Sequence, residues 1–178
     1  MKFIETKLKG CYVMEPNVFE DSRGYFFESF HQQQFEDGIG KAVHFVQDNQ
    51  SFSQYGVIRG LHFQKGEYAQ AKLVRVLQGT VLDVAVDLRK DSATYGQHVA
   101  VELSAENKKQ MFIPRGFAHG FSVLSEAGAV FYYKCDNFYH KAAEDGIVYN
   151  DEQLGIDWQI PQEEMKISEK DYLLKILK

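Results

Sequence analysis

Two glycine-containing segments each place one histidine in sequence typical of β-strands. The first is Arg59-Gly60-Leu61-His62-Phe63-Gln64, and the second runs from Ile113 to Phe121 and contains His119. Histidine is the side chain whose ordinary pKa lies nearest neutral pH, and its neutral ring is a common metal ligand. Two such segments indicate a pocket that serves either proton transfer or metal binding.

The composition is that of a folded globular protein. With 178 residues, of which 44% are hydrophobic and 25% charged, residues 1–178 are predicted to form one domain. The formal net charge of -5 and the absence of Lys or Arg runs argue against a nucleic-acid polymer as partner. Two cysteines, Cys11 and Cys135, are too few for a disulfide framework and are expected to be free thiols.

The N-terminal sequence bears on the location of the protein. Residues 1–7 include one acid and two lysines where a signal peptide would need an apolar core. No segment of the sequence is long and apolar enough to cross a membrane. We therefore expect a cytoplasmic protein without a membrane partner.

Hydrophobic periodicity favours β-structure. Apolar residues alternate with other residues over Leu82–Leu88 and Val99–Leu103, and more strands are predicted at Gly24–Phe30, Val43–Ser51, Lys72–Leu77, Phe117–Leu124 and Ala129–Cys135. Helical signals are few. One short helix is predicted within Ser29–Gly38, and another over Ser168–Leu177, where Ser168 and Asp171 fit a capping box. These patterns predict a mainly-β sandwich or barrel with a C-terminal helix.

Several ordered blocks of the sequence resemble one enzyme family, the dTDP-4-dehydrorhamnose 3,5-epimerases. The similarity extends from about Phe19 to about Trp158 and is strongest in Gln47–Ser51, Gly56–Gln64, Ala71–Val76, Asp83–Lys90 and Ile113–Phe121. The resemblance implies an all-β fold of the cupin type, a double-stranded β-helix or jelly roll. It also implies a homodimer and an isomerase that needs no cofactor.

The resemblance implies a reaction on a dTDP-4-keto-6-deoxyhexose. Such an enzyme inverts C3 and C5 of dTDP-4-dehydro-6-deoxy-D-glucose to give dTDP-4-dehydro-L-rhamnose, in dTDP-L-rhamnose biosynthesis. Both carbons flank the C4 ketone, so one base and one acid on opposite ring faces can act on each. By resemblance His62 is the base, Asp171 its orienting carboxylate, Tyr133 the acid and Lys72 the cation beside the enolate oxygen.

The resemblance also implies a nucleotide site. Arg59 matches a diphosphate contact, and Tyr139 matches a residue that stacks on thymine. Other positions that match substrate contacts of the family are Arg23, Glu28, Gln47, Asn49, His119, Glu144 and Lys170. The sequence has no glycine-rich phosphate loop at a helix start, so side chains must hold the diphosphate.

A metal site is the main chemical alternative. Cupin-type proteins often hold iron, manganese or zinc with two His two residues apart, a carboxylate and a third His. In this chain Gln64 stands two residues after His62, and only Glu67 and His119 are further candidates. These ligands are too few for an ordinary site, so we expect no bound metal.

The identity of the acid and the number of inverted carbons stay open. The loop between His119 and Tyr133 is one residue longer than the family pattern, which makes Tyr132 a possible acid in place of Tyr133. An enzyme that inverts C3 or C5 alone, or a dTDP-sugar ketoisomerase, would need a similar pocket. A non-catalytic sugar-binding jelly roll would need no base at all. Each residue taken alone also has a purely structural interpretation. His62 could be a histidine of the core, and Arg59 and Lys72 could be solvated charges at strand edges.

Overall fold

The computed structural model describes residues 1–177 and is built mainly of strands, which confirms the predicted mainly-β class. In chain order the strands are β1 (Lys2–Glu5), β2 (Tyr12–Glu15), β3 (Phe19–Asp21), β4 (Gly24–Phe26), β5 (Gln47–Ser53), β6 (Val57–Gln64), β7 (Lys72–Gln78), β8 (Thr80–Asp87), β9 (His98–Ser104), β10 (Gln110–Ile113), β11 (Phe117–Val123), β12 (Ala129–Cys135), β13 (Glu144–Gly146) and β14 (Lys166–Ile167). The α-helices are α1 (Gln32–Ile39) and α2 (Glu169–Tyr172), and 3₁₀ helices lie at Gly66–Tyr68, Lys141–Ala143 and Gln162–Glu164.

Two sheets face each other. The first sheet has the strand order β1-β2-β10-β7-β12-β5, and the second has the order β13-β6-β11-β8-β9. Strand β14 pairs with β6 in parallel, whereas the other pairings are antiparallel. Strands β3 and β4 form a separate two-stranded hairpin.

The space between the sheets is filled by apolar side chains over much of its length. The first sheet contributes Val74, Val76 and Phe131, and the second contributes Val81, Ala85 and Phe121. Phe121 and Phe131 stack with ring centroids 4.2 Å apart. This packing between two inner faces is how a β-sandwich buries its core.

Strand β8 is buried on both faces. Leu82, Val84 and Val86 pack against Trp158 and Leu177, so the C-terminal part of the chain covers the outer face of the second sheet. The alternate residues Asp83, Ala85 and Asp87 point toward the first sheet and are also fully buried. The alternating residues of β8 therefore face two different buried regions, the space between the sheets and the layer under the C-terminal segment. Two of them, Asp83 and Asp87, place carboxylates in the interior.

The helices differ from their predicted extents. Helix α1 ends at Ile39 and is capped by Gly40 in the left-handed conformation (φ 67°), so the prediction that it ends at Gly38 is wrong. Gly38 has another role, because a Cβ there would collide with the ring of Phe3. Phe35 and Ile39 of α1 pack on the outer face of the first sheet.

The C-terminal helix is much shorter than predicted. Only Glu169–Tyr172 is helical, with Ser168 as N-cap. Leu173 and Ile176 are exposed, whereas Leu177 is buried, so the apolar residues of the segment predicted to be helical do not pack as one face. The strand predictions for Gly24–Phe30 and Val43–Ser51 were also too broad, because residues 27–30 and 43–46 lie outside strands.

Two further expectations concern the whole chain. Cys11 and Cys135 are both buried free thiols, as predicted. Within residues 1–177, no helix has the length and apolar character that crossing a membrane requires.

Asp87 ends strand β8 and fixes the turn that follows it. Its carboxylate accepts hydrogen bonds from the Arg89 side chain (2.7 and 2.8 Å), from Ser92 Oγ (2.6 Å) and from Thr94 Oγ1 (2.7 Å). Burial alone would raise the pKa of Asp87, but the hydrogen bonds from Arg89, Ser92 and Thr94 outweigh it and hold the pKa far below its usual range. The carboxylate is therefore charged in the folded protein throughout the neutral range.

We expect Asp87→Asn to lower the free energy of unfolding at pH 7 by about 2–3 kcal/mol, because the Arg89 guanidinium loses its buried partner. A lowered folded-state pKa stabilises the protein above the unfolded-state pKa, and this contribution is lost as the pH falls below about 4. The difference between wild type and variant should therefore be constant from pH 5 to 8 and should shrink below that range. Urea denaturation at each pH measures it, with the exposed Asp91→Asn as control. A difference that does not change with pH would contradict this role of Asp87.

Candidate active site

A cavity of about 280 Å³ opens at one end of the space between the two sheets. Most of its walls are polar, in contrast to the apolar core farther inside. The residues that line it are Gln47, Asn49, His62, Phe63, Gln64, Gln70, Lys72, Tyr133, Cys135, Tyr139 and Glu144. Seven of the thirteen residues predicted for the site therefore meet in one cavity: Gln47, Asn49, His62, Lys72, Tyr133, Tyr139 and Glu144.

The first sheet supplies one wall of the cavity through the two-residue period of its strands. Tyr133 of β12 pairs with Asn49 of β5, and Cys135 pairs with both Gln47 and Lys72. Residues at alternate positions of paired strands share one face, so these side chains all point inward. Tyr132 points to the opposite face, where its hydroxyl donates to Asp48 Oδ2 (2.8 Å). Tyr133, not Tyr132, is thus the tyrosine of this cavity.

The second sheet supplies the facing wall through an irregularity in β6. His62 pairs with His119 of β11, but Arg59 pairs with Phe121, so the register shifts between them. Residues three apart on a regular strand point to opposite faces, and the shift brings Arg59 and His62 to the same one. Gly60 permits this, because it has a φ of 127° and an added Cβ would lie 2.5 Å from the Gly120 Cα.

His62 is held by a buried carboxylate. Its Nε2 lies 2.8 Å from Asp171 Oδ1, and the other carboxylate oxygen, Oδ2, accepts the Gly60 N–H (3.3 Å). Burial would raise the pKa of Asp171, but the hydrogen bond and charge of His62 outweigh it and lower the pKa. An ionised Asp171 fixes Nε2 as the protonated nitrogen of neutral His62 and leaves Nδ1 to act as a base. The Asp171 backbone N–H meanwhile bonds to Ser168 Oγ (3.2 Å), so half of the predicted capping box is also present.

Lys72 and Tyr133 lie close together on the wall opposite His62. The Lys72 Nζ is 5.8 Å from the centroid of the Tyr133 ring. Burial lowers the pKa of Lys72, against the opposing charges of Cys135, Asp83 and Glu144. Burial also raises the pKa of Tyr133, so its phenol keeps its proton at neutral pH and can act as an acid.

Three predicted binding residues form a chain at the mouth of the cavity. The Tyr139 hydroxyl donates to Glu144 Oε2 (2.9 Å), and Lys170 Nζ donates to Glu144 Oε1 (2.7 Å). Burial would raise the pKa of Glu144, but the hydrogen bonds from Lys170 and Tyr139 outweigh it and lower the pKa. The Tyr139 ring remains 53% exposed, so one of its faces is free for a ligand.

A groove of about 540 Å³ continues from the cavity. His62 and Glu144 line both spaces, and Arg59, Lys166, Lys170 and Asp171 line the groove. Arg59 Nε donates to Ser53 Oγ (2.9 Å), which leaves its other guanidinium N–H groups for a ligand. The groove therefore presents cations of the kind that bind phosphate, beside the imidazole.

His119 has a buried partner and does not line the cavity. Its Nε2 lies 2.7 Å from Asp83 Oδ1, and only 7% of the residue is exposed. Burial lowers the pKa of His119, against the charge and hydrogen bond of Asp83. Asp83 Oδ2 has no hydrogen-bond partner among residues 1–177. His119 thus lies next to His62 in the sheet, where it is better placed to support the wall than to touch a ligand.

Two other predicted residues lie outside the cavity and the groove. Arg23 is in the exposed β3–β4 hairpin and pairs with Asp21 (2.6 Å). Glu28 accepts a hydrogen bond from Gln34 Nε2 (3.0 Å) at the start of α1. Neither residue is among those that line the cavity or the groove around His62.

The sequence analysis missed four residues that line the cavity, Phe63, Gln64, Gln70 and Cys135. Gln64 and Cys135 each follow an identified residue at a spacing of two, so strand alternation could have revealed them. Gln70 lies between a 3₁₀ helix and β7 and carries no such signal. In the described part of the chain, no three His, Cys, Asp or Glu side chains form a group that could hold a metal ion.

Comparisons with known proteins identify one enzyme family. The family model for dTDP-4-dehydrorhamnose 3,5-epimerase matches residues 5–178. The enzyme of that name from Salmonella typhimurium is 56% identical over 162 residues, which cover 91% of this chain and 88% of the relative. The crystal structure of dTDP-4-dehydrorhamnose 3,5-epimerase from Elizabethkingia anophelis has a TM-score of 0.95 and 58% identity, covering 99% of this chain and 96% of that one.

A further solved structure contains a ligand. It is a dTDP-6-deoxy-D-glucose-3,5-epimerase from Legionella pneumophila in complex with dTDP-4-keto-L-rhamnose, with a TM-score of 0.94 and 49% identity. The match covers 98% of this chain and 92% of that one. The cupin-type jelly roll expected from the sequence is confirmed by these neighbours.

Proposed function

Because the chain belongs to the dTDP-4-dehydrorhamnose 3,5-epimerase family, we propose that the cavity between its sheets performs that reaction, with His62 as base and Tyr133 as acid. The protein is an isomerase of the epimerase class. It inverts C3 and C5 of dTDP-4-dehydro-6-deoxy-D-glucose to give dTDP-4-dehydro-L-rhamnose, in the biosynthesis of dTDP-L-rhamnose.

The observation that carries the assignment of roles is the position of the two groups on facing walls. His62 comes from the second sheet, and Tyr133 comes from the first. A sugar ring that enters between the sheets has the imidazole on one face and the phenol on the other. Inversion of a carbon requires removal of a proton from one face and its return to the opposite one, which this arrangement allows.

The steps follow from the chemistry of the ketone. His62 Nδ1 takes the proton from C5 or C3, and the C–H electron pair forms a C=C bond while the C4 carbonyl electrons move to its oxygen. The Lys72 ammonium stabilises the oxyanion. The C4 carbonyl then re-forms, and the C=C electron pair takes the phenolic proton of Tyr133 from the opposite face. Exchange with solvent returns a proton to Tyr133 and removes one from His62, and the same groups then act on the second carbon. Asp171 stabilises the imidazolium that forms in each cycle.

The nucleotide extends from the cavity along the groove. Tyr139 at the mouth stacks on the thymine, and Arg59 and Lys170 bind the diphosphate. Gln47 and Asn49 lie on the edge strand β5 and are beside Tyr139. Their side chains contact the remainder of the dTDP group. Both binding cations are close to His62, so the diphosphate fixes how far the sugar reaches into the cavity.

The roles of His62 and Tyr133 predict different losses in heavy water. The wild type should place deuterium at both C3 and C5 of the product, detected by NMR. His62→Asn should lose both exchange and product, by about 10²–10⁴-fold, because no group abstracts the proton. Tyr133→Phe should still exchange protons of the substrate from the His62 face but should form little inverted product.

Tyr132→Phe is the matched control for the acid. It removes a hydroxyl one residue away that faces Asp48 outside the cavity, so inversion should proceed at the wild-type rate. Deuterium at one carbon alone would indicate an enzyme that inverts a single centre. Normal turnover by His62→Asn would contradict the assignment of the base.

The fall of the turnover rate at high pH should follow the loss of the proton from Lys72. Its cationic form is needed, and its lowered pKa means that the charge is lost below the ordinary lysine value of 10.5. Burial shifts the pKa of Tyr133 the other way, to higher pH. Lys72→Arg should have a lower kcat but should retain that activity to higher pH, since guanidinium stays protonated. An alkaline limb that does not move in Lys72→Arg would contradict this role.

We also propose that the enzyme is a homodimer in which each protomer completes the site of its partner. The β3–β4 hairpin exposes Phe19, Tyr25 and Phe26 by 65%, 59% and 69%, as expected of a surface that another protein covers. Arg23 lies in this hairpin and Glu28 just after it, away from their own cavity. Strand β5, which carries Gln47 and Asn49, is at the edge of its sheet and is open to an approaching hairpin.

Mixing two inactive variants tests this arrangement. In a dimer of one Arg23→Ala and one His62→Asn protomer, one site receives an intact His62 and the partner's intact Arg23. Equal amounts, unfolded and refolded together, should recover about a quarter of the wild-type sites. No recovery from a mixture that light scattering shows to be dimeric would mean that Arg23 acts within its own protomer.

We also propose a cytoplasmic location for the protein. The two free buried thiols, Cys11 and Cys135, support it.

A further inference from the structure

Gln64 uses its whole side-chain amide to hold two loops together. It is the last residue of β6, two positions after His62, and it is 7% exposed. Its Nε2 donates to the carbonyl oxygens of Tyr68 (2.7 Å) and Phe138 (3.2 Å). Its Oε1 accepts the backbone N–H of His140 (2.6 Å).

Two of these three bonds are to the backbone on either side of Tyr139. The Phe138 carbonyl precedes Tyr139 and the His140 N–H follows it, so Gln64 holds the chain at both ends of this residue. The Tyr139 N–H itself donates to Gln47 Oε1 (3.1 Å). The third Gln64 bond, to Tyr68, ties the neighbouring 3₁₀ helix into the same unit, where the Tyr68 and His140 rings stack 3.9 Å apart.

The Tyr139 segment is held by hydrogen bonds more than by packing, and Gln70 Nε2 also donates to the Asn137 carbonyl oxygen (2.7 Å). Phe138 and Tyr139 are 65% and 53% exposed, so packing does not fix their rings. A stacking residue contributes to binding when its ring is held in place before the ligand arrives. The backbone hydrogen bonds to Gln64 and Gln47, with the Tyr139–Glu144 contact, provide that order.

The geometry points to Gln64 as a positioning residue that orients Tyr139 for the pyrimidine of the nucleotide. The inference rests on the proposed function, because it takes Tyr139 to be the stacking residue. It explains why an amide stands two residues after His62. A side chain at this position must donate two hydrogen bonds and accept one. A neutral histidine has only one N–H to donate, and an ionised Asp or Glu has none, so neither can replace the amide.

The test measures dTDP binding by calorimetry and turnover of the sugar nucleotide by NMR. Gln64→Leu keeps the size of the side chain and removes all three hydrogen bonds. We expect the Kd for dTDP to rise about tenfold or more, because the segment that carries Tyr139 loses three hydrogen bonds and must then be ordered when dTDP binds. We expect kcat at saturating substrate to stay within about threefold of wild type, since His62, Lys72 and Tyr133 keep their places.

A double-mutant comparison shows whether the effect passes through Tyr139. If it does, Gln64→Leu with Tyr139→Leu should bind dTDP as Tyr139→Leu alone does, within about twofold. A full tenfold effect of Gln64→Leu in the Tyr139→Leu background would overturn the inference. So would a Kd unchanged from wild type, or a loss confined to kcat.

Gln64→Glu keeps the inference testable if Gln64→Leu does not fold. This variant keeps an acceptor for the His140 N–H and loses both donated bonds. Its Kd for dTDP should therefore lie between those of the wild type and Gln64→Leu. If Gln64→Leu does not fold, the Kd of Gln64→Glu should still be several-fold above that of the wild type. An unchanged Kd in Gln64→Glu would also overturn the inference. Failure of the proposed function is a separate outcome, because the wild type would then show no dTDP binding or no deuterium exchange.

Discussion

The contact between Asp171 and β6 is the interaction on which the site depends. Asp171 lies on a helix of four residues near the end of the chain, yet its buried carboxylate bridges the His62 ring and the Gly60 backbone. One side chain thereby orients the imidazole, ties the C-terminal segment to the strand and forms part of the wall of the groove. Without it the imidazole would lose the carboxylate that holds it, and the irregular part of β6 would lose a support.

The interior of the sandwich is divided by polarity. At one end, Phe121 and Phe131 stack in a dry core. Toward the other end, Lys72 and Tyr133 point inward from the neighbouring strands β7 and β12, and His62 faces them from β6 of the other sheet. Because the polar groups sit on strands that the apolar end holds in register, they require few contacts of their own to stay in place. The cost of burying the carboxylates of Asp83 and Asp87 is offset by pairing with His119 and Arg89.

The sequence predicted much of this arrangement, and the parts it missed have physical causes. Strand β12 has the predicted bounds Ala129–Cys135, and its alternation directs Tyr133 into the cavity and Tyr132 away from it. Alternation in β8 could not reveal that both faces are buried, since the covering residues Trp158 and Leu177 lie far along the chain. The common face of Arg59 and His62 depends on a register shift that no periodicity predicts. The role of Gln64 has no signal in the sequence, because its partners are backbone groups in loops, most of them remote along the chain.

The placement of the proposed base and acid, His62 and Tyr133, on different sheets has a consequence for evolution and engineering. No single strand carries both groups, so the gap between them is set by the thickness of the sandwich. Side chains such as Phe131 and Val76, which do not line the cavity, act as spacers that determine this thickness. A change of substrate or of stereochemical outcome could therefore arise from resizing those spacers, with every reactive group left as it is.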